Sequence, residues 1–189
     1  DIIGPYATVE NLGFRYNVPV TEQVNSIINI DNYDETTQAG YAATINNCTF
    51  RDYTYGSTGH AAVWIESAHW CAVLGCTFEH SKIGVGVGSS KEKVNGVVIA
   101  GNTFTGATTD ISIAIRLPDI DHVDINGNSF QFAQPAGGAP NSYIYTVGTV
   151  CGGVVRNNDF STNSSTFATA CTSVGQLVDV ANTCNADLV

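Results

Sequence analysis

One six-residue pattern recurs along the chain and constrains its fold more than any other feature. It reads Val9-Glu-Asn-Leu-Gly-Phe14, Ile45-Asn-Asn-Cys-Thr-Phe50, Val73-Leu-Gly-Cys-Thr-Phe78, Ile99-Ala-Gly-Asn-Thr-Phe104, Ile125-Asn-Gly-Asn-Ser-Phe130 and Val155-Arg-Asn-Asn-Asp-Phe160. The phenylalanines are spaced by 36, 28, 26, 26 and 30 residues. A weaker seventh copy lies in Val180-Ala-Asn-Thr-Cys184, where the aromatic is lost, as terminal repeats often lose the pattern. After each Phe comes a second apolar stretch: Ser26–Asp31, Ala61–Glu66, Ile83–Gly88, Ile111–Arg116 and Ser142–Gly148. Ile83, Val85, Val87 and Ile111, Ile113, Ile115 alternate strictly, which is the strand period.

A repeat of 26–30 residues with two clear short strands, a third around the Phe and no helix leaves few architectures. A leucine-rich repeat needs more than the five Leu present, and a propeller blade needs about 40 residues. A β-sandwich does not place one motif at one sheet position six times. A stacked coil does, with equivalent residues one strand spacing apart, about 4.8 Å. The expected fold is all-β, a right-handed parallel β-helix of about six or seven coils. Residues 1–160 form its coils, and 161–189 form a less regular final coil and C-terminal cap. Inward Phe and Val/Ile columns make the core. Asn102, Asn128 and Asn158 stack so that each amide bonds the next. Asn47, Gly75, Gly101, Gly127 and Asn157 stand where the chain turns with positive φ.

Cys48 and Cys76 occupy the Asn column in adjacent coils. Parallel in-register side chains point the same way and would strain a bridge, so buried thiols are favoured over a disulfide there. A bridge among Cys151, Cys171 and Cys184 is plausible, and its pairing is not readable.

The Asn/Gly-Asn-x-Phe motif recurring over residues 9–160 resembles the repeats of the pectate-lyase-like parallel β-helix superfamily, closest in character to bacteriophage tailspike and other virion β-helices. The resemblance implies the fold and leaves the activity open, because one fold hosts many functions. Asn-Thr-Asp, Asp-Asp, Gly-His-Gly and Asp-Pro-His-Glu elements of its enzymes are absent. Trp64-Ile65-Glu66-Ser67 and Arg116-Leu117-Pro118 only faintly echo pectate-lyase stretches, with Ser67 where a His would stand.

Composition narrows the function. Charged residues are 13%, about half the usual quarter, and the net charge is −10 with seven Lys plus Arg. Nucleic acid is therefore not an expected partner. No apolar run approaches the roughly 20 residues of a membrane span, so no membrane is expected. There is no Met, so the chain is read as a processed product or excised segment, with another domain or subunit expected to cover its start.

Candidate sites fall in four groups. If Ile65, Val87, Ile115 and Ile144 align inward, the outward column reads Trp64, Gly86, Ala114 and Tyr145, with Tyr143 nearby. That face fits a protomer interface, a sugar platform, or a surface covered by a loop of the same chain. Glu66 and Arg116 extend the column across Gly88 and could flank a substrate. Asp52 and Glu79 follow Phe in adjacent coils, offset by one residue, and are the candidate glycosidase carboxylates; His60, His69 and His80 lie at strand ends nearby. Asp119, Asp121 and Asp124, beside His122, are weak candidates for Ca²⁺, and otherwise no cofactor is expected. The loops Arg51–Gly59 and Gln131–Asn141 are the longest insertions and natural carriers of function.

The sequence thus points to a virion or extracellular structural β-helix, homotrimeric or joined to other virion subunits, mediating assembly or surface glycan contact. The alternatives are a polysaccharide lyase or glycoside hydrolase of the same superfamily, with Asp52, Glu66, Glu79 and Arg116 as catalytic candidates, and a non-catalytic glycan-binding module.

Overall fold

The computed structural model describes residues 6–16, 26–31, 41–53, 61–88, 94–106, 113–117, 120–131, 142–146, 152–160, 171–172, 178–180 and 183–184. They form a right-handed parallel β-helix. Three parallel sheets of seven, seven and six strands run its length, with no helix among the described residues. The sheets carry, in each coil, a β-branched strand such as Ala72–Leu74, a Phe strand such as Thr77–Glu79, and a five-residue strand such as Ile83–Val87.

The repeat sets the register. Val9, Ile45, Val73, Ile99, Ile125 and Val155 stack in one column, and Phe14, Phe50, Phe78, Phe104, Phe130 and Phe160 in another. Neighbouring Phe rings lie 4.7–5.1 Å apart with planes within 9° of parallel. In the seventh coil Cys184 takes the place of Phe. Val180 pairs with Arg156 and Asp179 with Val155, so this copy starts one residue earlier than its sequence suggested.

The turn between the first two strands is held by the asparagine ladder. The Oδ1 of Asn128 accepts the backbone N–H of Asn102 at 2.9 Å and its Nδ2–H at 3.0 Å. Asn158 does the same for Asn128, both at 2.9 Å. Each Nδ2 also donates to a carbonyl of the coil before, on Val73, Ile99 and Ile125. Every amide atom of a fully buried side chain is thereby satisfied. Cys76 donates its N–H to Asn102, and Cys48 its N–H to the Cys76 sulfur, so thiols continue the column. Cys48, Cys71 and Cys76 are free and buried. Cys151 and the side chains of Cys171 and Cys184 lie outside the described residues.

The five-residue strands depart from strict alternation. Ala62 and Val63 both join the core, as do Ala114 with Ile115 and Tyr143 with Ile144. Gly84 fills the same column, and a methyl there would fall 2.6 Å from the Phe104 ring. Two consecutive residues of these strands therefore belong to the core.

Candidate functional site

That break in alternation and the register together redraw the outward face. Ile115 pairs with Val85 rather than Val87, a shift of two residues that leaves the inward parity intact. The outward column is Asn29, Trp64, Gly86, Arg116 and Tyr145. Trp64, Gly86 and Tyr145 keep their expected places. Ala114 and Tyr143 do not: Ala114 is a core residue, and the Tyr143 ring packs 5.6 Å from Phe130 and 5.5 Å from Phe160. Arg116 stands where Ala114 was expected.

Trp64 is no exposed platform either. It is 7% exposed, and it forms a small outer cluster with Ala61, Ile83 and Tyr145. Its ring lies over Gly86, whose lack of a side chain makes the approach possible. Asn29, one coil away, keeps a buried Oδ1 without a hydrogen-bond partner.

Glu66 and Arg116 are not in one column. Glu66 follows Ile65, which pairs with Val87, whereas Arg116 pairs with Gly86. Two rungs and two residues separate them, about 12 Å between Cα atoms.

Asp52 and Glu79 belong to different columns, because Arg51 pairs with Glu79 while the Asp52 N–H donates to the Glu79 carbonyl. Asp52 turns with a φ of 59°. Each carboxylate is held by an arginine: Arg15 Nε lies 2.8 Å from Asp52, and Arg51 Nε 2.7 Å from Glu79. His80 Nδ1 stands 3.7 Å from Asp52. A shallow depression of about 340 Å³ beside them is lined by Gly13, Phe14, Arg15, Thr49 and Arg51. Its two guanidinium groups already have these carboxylates, and exposed pairs of this kind each contribute about 0.2–1 kcal/mol.

In the acidic cluster Asp124 is engaged by Arg156, with the shorter of two contacts at 2.6 Å. Asp119 and His60 lie outside the described residues, as do residues 54–59 and 132–141 of the two long loops. Among the described residues no three His, Cys, Asp or Glu side chains are grouped to hold a metal ion. No helix among them is long and apolar enough to cross a membrane.

The sequence reading missed the most exposed aromatic surface among the described residues. Ala42, Trp70 and Gly96 follow one another at the corner between the five-residue strand and the β-branched strand, linked coil to coil by backbone bonds. Trp70 is 55% exposed and Tyr6, at the same corner of the first coil, 71%. A methyl at Gly96 would meet three atoms of the Trp70 six-membered ring at 2.3–2.8 Å, so the indole lies with one face on that glycine. Tyr41 meets Tyr6 edge-on at 6.0 Å. Beside Trp70, His69 Nδ1 accepts the Asn95 N–H at 3.1 Å, which leaves Nε2 to carry the proton of the neutral ring. The signal in the sequence was a Trp placed two residues before a β-branched strand, at a turn position shared with Ala42 and Gly96.

Comparison with family models, curated proteins and solved structures returns no match. The functional reading therefore rests on the geometry.

Proposed function

We propose that this chain is a structural β-helix of a virion or other extracellular surface, of pectate-lyase-like character, which contacts glycans without cleaving them. The Trp70 corner is the contact. The carrying observation is the Trp70 indole, more than half exposed and held flat on Gly96. A rigid aromatic face parallel to the surface suits the apolar face of a pyranose ring, and its fixed position lowers the ordering cost of binding. Tyr6 adds a second exposed ring at the same corner two coils away, about 10 Å along the axis. A binding role is favoured over hydrolysis because Asp52 and Glu79 stand in different columns and each pairs with an arginine.

The test is a panel of neutral and acidic glycans presented to the wild-type chain and to Trp70→Ala. Binding without cleavage, weakened at least tenfold in Trp70→Ala with the melting temperature nearly unchanged, is the expected result. Turnover of any glycan, or binding indifferent to Trp70, would sink the reading. Light scattering on the same sample addresses assembly: a homotrimer that buries Trp70 would make the corner a protomer interface instead.

A further inference from the structure

Arg116 differs from the other three arginines of the chain. Arg15, Arg51 and Arg156 are well exposed and each holds a carboxylate at 2.6–2.8 Å. Arg116 is 9% exposed, yet it has no ion pair or hydrogen bond with any described residue. Among the described residues it is the one guanidinium without a counter-charge. A guanidinium does not shed its proton in a protein, so it stays charged there. Burial pushes its pKa down, and the neighbouring Tyr145 acts in the opposite sense.

We propose that Arg116 and Tyr145 form an anion subsite on the outer face of the five-residue strands, which takes the carboxylate of a small organic acid such as a uronic acid. Tyr145 is in register with Arg116 on the next rung, about 4.8 Å away, and its phenol adds one O–H donor to the guanidinium fork. On the other side lies Gly86, roofed by the Trp64 ring, which supplies an apolar wall. The fork matches a planar carboxylate in two parallel N–H···O bonds. Glu66, about 12 Å away between Cα atoms, makes no ion pair with it. The small residual opening at Arg116 selects a free acid or a chain end over the middle of a polymer. This subsite does not depend on the Trp70 corner.

The probes are sodium glucuronate, sodium sulfate and glucose, titrated calorimetrically into the full chain. Saturable binding of glucuronate, none of glucose, at least tenfold weaker binding in Arg116→Gln and a several-fold loss in Tyr145→Phe are expected. Absence of saturable glucuronate binding, equal affinity in Arg116→Gln, or sulfate bound more tightly than glucuronate would overturn the assignment. If Arg116→Gln does not fold, Tyr145→Phe decides: an unchanged glucuronate affinity overturns it.

Discussion

The ring of Trp64 rests on the backbone of Gly86 so closely that a methyl group at Gly86 would sit 2.1 Å from both Cε3 and Cζ3. The two residues are partners in adjacent coils. Gly86→Ala is expected to destabilise the fold by about 1–3 kcal/mol, the usual range for overpacking a filled site. In the double variant Trp64→Ala/Gly86→Ala the methyl has room, so the two losses should add to less than their sum. Urea unfolding of the four chains measures that coupling.

The asparagine ladder predicts a steeper loss. Asn128→Ala removes the acceptor for two Asn102 donors and the donor to Ile99, and it leaves the Asn158 oxygen with only the backbone N–H of residue 128, all in a fully buried turn. Each orphaned group costs about 1–3 kcal/mol, so a loss of several kcal/mol or failure to fold is expected. Asn47→Ala, at an exposed turn whose amide donates to Asn11 at 2.7 Å, should cost far less in the same unfolding assay.

The coil architecture was legible because its signal repeats: six Phe and six β-branched residues at one spacing are self-confirming, and the Asn ladder followed from stacking them. The outward face was not legible. Period-2 alternation distinguishes a slip of one residue, which flips every side chain, but not a slip of two, which keeps the parity. Aligning Ile115 with Val87 instead of Val85 therefore satisfied the pattern while placing Ala114 where Arg116 stands. The burial of both Tyr143 and Ile144 breaks alternation altogether, and in the same column Gly84 leaves space that the Phe104 ring takes. Trp70 escaped notice because it sits in a turn, where no periodicity marks a side chain as exposed.

The buried thiols predict how the fold responds to alkali. Desolvation by burial is the main reason that Cys71 and Cys76 titrate at about 11 instead of the ordinary 9.0. The folded state then holds protons that the unfolded chain gives up. Their contribution to stability is complete below pH 9 and is lost as pH rises toward 11. Urea midpoints should hold steady from pH 7 to 8.5 and fall above it, and Cys71→Ala should flatten that fall. At pH 8 both thiols should resist a thiol-specific reagent in the folded chain and react at once in denaturant. Prompt labelling of Cys71 or Cys76 in the native protein, located by peptide mapping, would contradict the burial.

The two tryptophans offer a last prediction, since they use one device to opposite ends. Each lays its ring on a glycine of the following coil, Trp64 on Gly86 in a nearly closed cluster and Trp70 on Gly96 at an open corner. Acrylamide should therefore quench one emitting population readily and spare the other. Trp70→Ala should leave only the shielded, blue-shifted emission of Trp64. Gly96 has a φ of +72°, where a side chain is strained, and the added methyl would strike the indole as well. Gly96→Ala should cost about 1 kcal/mol or more, and it should tilt Trp70 off the surface. If the flat seat on Gly96 is what makes the corner a platform, Gly96→Ala must weaken glycan binding nearly as much as Trp70→Ala does. A chain that keeps full affinity after Gly96→Ala would show that the exposed ring alone, and not its seating, matters.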